Sequence, residues 1–303
     1  MTPDSKLAKS IDKGDFIVTA EYLPHAETNL SLNKDILKAL SDTVQAVNVS
    51  DNPFGIVMSS LAGSVALGKS GVEPVYQLVT RDRNRIAIGS DLLGAACLGV
   101  KNVLCLSGYH QTLTGCPESA NVYDIDSIQL TAAVTKMNEE KILPDGAKFE
   151  GDFAMLVGAV ANPNLKPLEL NIIRLAKKVE AGAKFIQTQA VFDTRAFAEW
   201  LEAAHNEGVT EKTAILAGIL PLDDAAEAEK LCETFTDYQI PDEIIDRLKK
   251  AGDKDAQRKE GLKISLEIIQ EIKKLTGLRG IHILSGGKEA ILPELLSSSG
   301  LGK

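Results

Sequence analysis

The chain has 303 residues and a formal net charge of −9, with 44% hydrophobic and 25% charged residues. This composition is that of a soluble globular protein, and the negative charge disfavours nucleic acid as a partner because phosphates bind basic surfaces. Residues 1–13 carry charges throughout and no stretch is long enough and apolar enough to span a bilayer, so we expect a cytoplasmic protein without a secretory signal or membrane contact.

Apolar, β-branched segments recur along the chain and predict strands. They show little alternation between apolar and polar residues, as is typical of parallel strands buried on both faces. The predicted strands are 16–23, 46–50, 74–80, 102–107, 153–161, 184–191, 214–220 and 280–284.

The segments between these strands have helical periodicity. In 168–180, for example, apolar residues recur every three or four positions, with Arg174 and Lys178 turned elsewhere. Alternating strands and helices favour a closed (β/α)8 TIM barrel, forming a single catalytic domain over 1–303, above an open doubly wound sheet. The open sheet would be favoured by an early Gly-x-Gly-x-x-Gly turn, which the sequence lacks. The predicted helices are 31–40, 57–69, 84–98, 127–139, 168–180, 195–206, 225–235 and 242–275.

The residues expected at the carboxyl ends of the strands, where barrel active sites lie, are polar but hold few ionised groups. They lack the histidine and carboxylate set of a metal hydrolase, and no serine or cysteine has a convincing base beside it. The four cysteines are scattered and predict reduced thiols with no metal site. By elimination, cofactor-dependent redox chemistry fits better than hydrolysis.

Three features at these strand ends have two interpretations each. Glu21, in an apolar strand, is either a desolvated acid with a raised pKa or a strand end that meets solvent or a basic neighbour. The arginine-rich segment 80–85 is either an anion site or, as we favour, an internal ion-pair network at the barrel mouth, in which Asp82 could cap the next helix. His282 is either an active-site wall or, as we favour, a hydrogen-bonded core histidine.

Gln187 and Gln189 lie two residues apart on one strand and therefore share a face. Two amides inside a barrel are unfavourable unless they bind a ligand or each other. We favour a ligand, because an amide both donates and accepts and so suits a pterin-like or flavin-like ring.

Several blocks of the chain, in order from about residue 15 to 285, resemble the methylenetetrahydrofolate reductase family. That resemblance implies a β/α barrel with a flavin, usually FAD with FMN possible, that passes a hydride to the methylene carbon of 5,10-methylenetetrahydrofolate. The product is the 5-methyl form used in one-carbon metabolism and methionine biosynthesis. The matching blocks are 81–86, 90–95, 102–108, 122–127, 180–193, 218–222 and 280–282.

The resemblance also implies roles for individual residues. Glu21 matches the acid that protonates a folate nitrogen and opens the imidazolidine ring, and Gln189, with Gln187 beside it, matches the amide that holds the pterin. Ser50 matches a threonine near the flavin and the nicotinamide of NAD(P)H. The remaining cofactor positions are Gln77, Ser107, Gly108, Tyr109, Asn162, Asn171 and Lys178, of which Lys178 would meet phosphates.

Two of these positions depart from the family pattern. Tyr109 stands where many members have an aspartate near the flavin, and Gln77 stands where a histidine is common. Without the negative charge of that aspartate, the flavin should be easier to reduce. The electron donor could then be either NAD(P)H or a partner protein. The alternatives to a reductase are therefore a folate- or flavin-binding subunit of a larger redox complex, or a folate methyl-transfer barrel without flavin. We also expect an oligomer.

Overall fold

The computed structural model describes residues 3–30, 32–235 and 238–301, and within them eight parallel strands close a barrel. Each strand pairs with the next along the chain, and the last pairs with the first. The predicted TIM barrel is thus confirmed, and every observed strand overlaps its predicted segment. The strands are β1 (Ile17–Tyr22), β2 (Ala46–Val49), β3 (Pro74–Val79), β4 (Asn102–Leu106), β5 (Leu156–Ala161), β6 (Phe185–Ala190), β7 (Ala214–Ile219) and β8 (Leu278–Ile283).

Helices follow the strands and form the outer wall. Seven of the eight predicted helical segments each correspond to one observed helix, and the eighth corresponds to two. The single domain predicted over 1–303 includes residues outside the described ones. The helix predicted at 31–40 also begins at a residue outside them. The helices are α1 (Lys6–Lys13), α2 (Lys34–Thr43), α3 (Ser60–Lys69), α4 (Arg85–Cys97), α5 (Ser127–Glu140), α6 (Leu168–Glu180), α7 (Thr194–Asn206), α8 (Ala225–Thr234), α9 (Asp242–Ala251), α10 (Lys254–Ile272) and α11 (Leu292–Ser298), with 3-10 turns at Gln111–Leu113 and Glu289–Ile291.

Helix boundaries account for most of the differences from prediction. The segment 242–275 forms α9 and α10 because Gly252 adopts a φ of 106°, and Asp253 then caps α10 by accepting a hydrogen bond from the Ala256 N–H. Helix α4 is capped by Asn84, so the expectation that Asp82 caps it is wrong. Asp82 instead pairs with Arg81, which removes its carboxylate from the helix end.

The amino-terminal end of the barrel is filled by apolar side chains. Ile17, Leu104 and Phe185 belong to a buried cluster that also includes Leu7 of α1, a helix not predicted from the sequence. Gly158 on β5 makes room for the Phe185 ring, since a β-carbon at Gly158 would lie 2.2 Å from that ring. With this end packed, the polar strand ends face the opposite mouth.

Candidate active site

A cavity of about 530 Å³ lies at the carboxyl ends of the strands. This volume is in the range of small-molecule and cofactor sites, and its position is where barrel enzymes hold their active sites. All the residues predicted for the site line this cavity. They are Glu21, Ser50, Gln77, Ser107, Gly108, Tyr109, Asn162, Asn171, Lys178, Gln187 and Gln189.

Glu21 lies near the end of β1 with its carboxyl held by two hydrogen bonds. The Ser50 hydroxyl donates to Oε1 at 2.7 Å, and the Gly286 N–H donates to Oε2 at 3.4 Å. Burial raises the pKa of Glu21, and these hydrogen bonds oppose the rise because they stabilise the carboxylate. In the described part of the chain Glu21 forms no ion pair, so the geometry fits a desolvated acid rather than a carboxylate beside a basic group.

A buried polar network forms the floor beneath Glu21. Gln187 and Asn48 exchange two amide hydrogen bonds, at 2.7 and 3.0 Å. Nδ1 of His282 lies 2.9 Å from the Thr19 hydroxyl and 3.2 Å from Nε2 of Gln187. Burial lowers the pKa of His282 to about 3, which keeps the imidazole neutral. His282 is thus the hydrogen-bonded, buried histidine that we predicted, and it also lines the cavity, as the alternative interpretation expected. The Gln187 amide pairs with Asn48 rather than with Gln189.

A bulge separates Gln187 from the strand end. The pairing of β6 with β7 shifts register between Gln187 and Ala190, and the Thr188 hydroxyl accepts a hydrogen bond from the Gly218 N–H at 2.9 Å. Position 218 must be glycine, because a β-carbon there would lie 2.4 Å from the Thr188 carbonyl oxygen. Both glutamines line the cavity, with Gln187 buried and Gln189 half-buried.

The arginines of 80–85 are committed to ion pairs. The Asp51 carboxylate is buried and also accepts a hydrogen bond from the Val79 N–H at 2.9 Å. The predicted internal ion-pair network at the barrel mouth is confirmed. The pairs are Arg81–Asp82 at 2.7 Å, Arg83–Asp51 at 2.6 Å and Arg85–Asp124 at 2.9 Å.

One line of side chains on α6 borders the cavity. Leu170, Arg174 and Lys178 follow each other at four-residue spacing, and all three line it. The Lys178 ammonium donates a hydrogen bond to the Val160 carbonyl, and burial, with the nearby Arg174 charge, lowers its pKa to about 8. Arg174 was not singled out from the sequence, although its spacing from Lys178 placed both on one face.

The loop after β4 brings its backbone close to β3. Aromatic side chains from the loops after β2 and β4 also pack with Phe235, which follows α8. Gly108 has a φ of +83°, and a β-carbon there would lie 2.5 Å from Val79, so only glycine fits. The Tyr109 ring packs 4.9 Å from that of Phe235, which in turn lies 5.7 Å from Phe54. Phe54, Tyr109 and Phe235 therefore form one aromatic cluster.

Three further predicted residues shape the wall beside α6 and β3. Asn171 donates from Nδ2 to the carbonyls of Asn162, at 2.7 Å, and Leu165, at 3.1 Å, and so holds the loop after β5. The Ser107 hydroxyl accepts a hydrogen bond from the N–H of Ser127 at 3.2 Å. Within the described residues no side-chain hydrogen bond engages the amide of Gln77, which leaves it available to a ligand.

The loop after β8 contains contacts that sequence reasoning missed. Gly286 reaches Glu21, and Glu289 lies buried beside it. The glycine pair 286–287, which follows β8 after two residues, was the signal in the sequence, because paired glycines indicate a turn.

Across residues 3–30, 32–235 and 238–301, no cluster of three or more histidine, cysteine, aspartate or glutamate side chains could hold a metal ion. In the same part of the chain, every helix is too short or too polar to cross a bilayer. All four cysteines are free.

Comparison with known proteins shows which proteins this chain is similar to. Residues 6–300 match the family model described as methylenetetrahydrofolate reductase. A probable methylenetetrahydrofolate reductase (NADPH) of Caenorhabditis elegans is 24% identical over 249 residues, which are 81% of this chain and 35% of that protein. The 5,10-methylenetetrahydrofolate reductase of Salmonella typhimurium is 23% identical over 218 residues, which are 71% of this chain and 66% of that protein. The chain therefore spans about a third to two thirds of the length of these relatives.

Among solved structures, a Clostridium thermocellum protein described as binding two copies of 5-methyl-5,6,7,8-tetrahydrofolic acid superposes with a TM-score of 0.67. The superposition covers 97% of this chain and 100% of that one, at 13% identity. At this identity the likeness concerns the fold.

Proposed function

Because the chain belongs to the methylenetetrahydrofolate reductase family, we propose that it interconverts 5,10-methylenetetrahydrofolate and 5-methyltetrahydrofolate, with FAD or FMN bound in the cavity. The observation that carries the proposal is Glu21, a desolvated carboxyl that lines the cavity and is held by Ser50 and Gly286. An acid with a raised pKa retains its proton closer to neutral pH, which suits it to protonate a folate nitrogen.

The residues present fit a flavin. Arg174 and Lys178 give one side of the cavity positive charge, which suits phosphate groups. Gly108 permits close approach of the backbone, and the Gln77 amide can both donate to and accept from a heterocycle. Ser50, Ser107, Tyr109, Asn162 and Asn171 complete the proposed cofactor wall. When bound, a reduced flavin supplies the hydride that the methylene carbon accepts.

The chain's own residues would then bind the folate and move one proton. Glu21 donates its proton to the folate nitrogen, which opens the imidazolidine ring, and Ser50 stabilises the carboxylate that remains. Gln189 binds the pterin through its amide, while Gln187 supports the floor through Asn48. The neutral His282 adds no charge beside the reacting groups.

The test is an absorption spectrum of the protein reconstituted with FAD or FMN, recorded anaerobically before and after addition of 5-methyltetrahydrofolate. We expect a bound oxidised flavin that bleaches, and bleaching slowed about 100-fold or more in Glu21→Gln because the proton transfer loses its acid–base group. The exposed Glu27→Gln is the matched control and should bleach at the wild-type rate. A protein that binds no flavin, or a Glu21→Gln variant that bleaches normally, would overturn the proposal. A colourless protein that binds 5-methyltetrahydrofolate would indicate methyl transfer instead.

A second candidate is a folate- and flavin-binding subunit that receives electrons from a partner protein. Two observations favour it: Tyr109 replaces the family's aspartate, and large apolar side chains are exposed on the rim. Oxidation of NADH or NADPH by the isolated chain at ordinary enzyme rates would exclude this candidate. The apolar side chains exposed on the rim are Phe54, with an exposed fraction of 45%, Ile56 with 78%, Leu113 with 44% and Val122 with 43%.

The oligomeric state and a cytoplasmic location remain predictions from the sequence alone.

A further inference from the structure

Glu289 connects the loop after β8 to the end of β1. Its Oε1 accepts hydrogen bonds from the Leu23 N–H at 2.9 Å and from the Ser285 hydroxyl at 3.0 Å. The residue is 6% exposed, and Leu23 stands two positions beyond Glu21. The buried Glu289 side chain therefore fixes the position of the loop after β8 relative to β1, the strand that carries Glu21.

The same loop supplies a hydrogen bond to Glu21. Ser285 is adjacent to Gly286, whose N–H donates to Oε2 of Glu21. The Ser285 hydroxyl accepts from the Gly287 N–H at 3.2 Å, so its own proton is directed to Glu289. Glu289 Oε1 thus accepts two hydrogen bonds, one from each side of the contact between the loop and β1.

The neighbouring lysine does not neutralise Glu289. The Lys288 ammonium bonds both oxygens of Glu227, at 2.7 and 2.9 Å, and lies 3.5 Å from Asp223. Within the described residues Glu289 forms no ion pair. Its negative charge therefore acts on its surroundings without a paired cation.

Two titratable groups from the strands beside β1 line the cavity near Glu21, and neither offsets this charge. His282 on β8 is neutral, and Asp51 after β2 is paired with Arg83. The charge of Glu289 raises the pKa of Glu21, in addition to the effect of burial.

We propose that Glu289 is a positioning residue for Glu21: by bonding Leu23 and Ser285 it holds the loop after β8 against β1, and so holds the Gly286 N–H against one carboxyl oxygen of Glu21. The inference deepens the proposed function, because it takes Glu21 as the acid. Glu289 itself touches neither substrate nor cofactor in this scheme.

The test is the pKa of the Glu21 carboxyl in Glu289→Gln, measured by infrared difference titration, with Glu21→Gln used to assign the band. Glutamine keeps the Oε1 acceptor and removes the charge, so we expect the pKa of Glu21 to fall by roughly half a unit to one unit. Because Glu21 must be protonated to act, activity is lost as the pH rises through its pKa. The alkaline limb of the activity profile should therefore move to lower pH by the same amount.

Two variants accompany it. Ser285→Ala keeps the charge but loosens the Gly286 contact, so the pKa of Glu21 should rise instead of falling. Glu294→Gln removes a nearby charge from an exposed position and should leave the Glu21 band unmoved. The pKa of Glu21 should therefore move in opposite directions in Glu289→Gln and Ser285→Ala. A general loss of stability would not shift this pKa in opposite directions in the two variants.

An unchanged or raised pKa in Glu289→Gln overturns the inference, and so does an unchanged or lowered pKa in Ser285→Ala if the first variant fails to fold. If the pKa shifts as expected while the wild-type protein leaves folate unreacted, the positioning of Glu21 stands and the proposed function fails.

Discussion

Replacing Ser50 with alanine tests how the structure sets the pKa of Glu21. The Ser50 hydroxyl donates to Glu21 Oε1 at 2.7 Å, within the range of strong hydrogen bonds to carboxylates. It stabilises the ionised form and so lowers a pKa that burial raises. Removing the hydroxyl should therefore raise the pKa of Glu21 further.

The size of the effect follows from the strength of that bond. A hydrogen bond to a charged group contributes about 1.5–3 kcal/mol, and one pKa unit corresponds to about 1.4 kcal/mol. Because the carboxyl borders an open cavity, water replaces part of the lost interaction, and we take the lower value. The pKa of Glu21 should rise by about one unit. Far above that pKa, the protonated fraction of Glu21 should be about tenfold larger than in the wild-type protein.

The assay is the pH profile of 5,10-methylenetetrahydrofolate reduction, the direction in which Glu21 donates its proton. Activity that depends on protonated Glu21 falls as the pH rises through its pKa, so in Ser50→Ala this fall should move to higher pH. Ser297→Ala, which removes a hydroxyl that bonds the Glu294 carbonyl at the surface, is the control and should leave the profile in place. An alkaline limb that stays put or moves to lower pH in Ser50→Ala would refute this account of the acid.

Replacing Arg83 with methionine leaves the buried Asp51 carboxylate without its ion pair and should lower the free energy of unfolding by about 3–5 kcal/mol, measured by urea denaturation. Arg85→Met, at an exposed pair, should destabilise far less, and equal losses in the two variants would contradict this reasoning. Because burial lowers the pKa of Lys178 to about 8, its charge is lost as the pH rises through about 8 and flavin affinity should weaken over that range. Flavin fluorescence titrations should show this pH dependence in the wild-type protein and in Lys177→Met but not in Lys178→Met; its persistence in Lys178→Met would exclude that lysine as a phosphate contact.

The barrel could be predicted because parallel strands buried on both faces are continuous apolar segments, and the segments alternate with helical periodicity. The helix ends were harder to place. Gly252 divides the predicted helix 242–275 by taking a conformation with positive φ, and Asn84 rather than Asp82 caps α4. Both outcomes depend on backbone angles that a periodicity of apolar residues does not encode.

The sequence by itself also placed Glu21 and Gln189 in the site, because a polar residue near the end of an apolar strand faces the barrel mouth. Only the tertiary structure decided what each side chain bonds. Gln187 pairs with Asn48, 139 residues away along the chain, and Glu289 reaches Leu23 across 266 residues. Such partners meet only when β8 closes against β1 and the opposite strands face each other across the barrel. Burial and hydrogen bonding of Glu21, which set its pKa, therefore follow from the closed barrel and not from its neighbours in sequence.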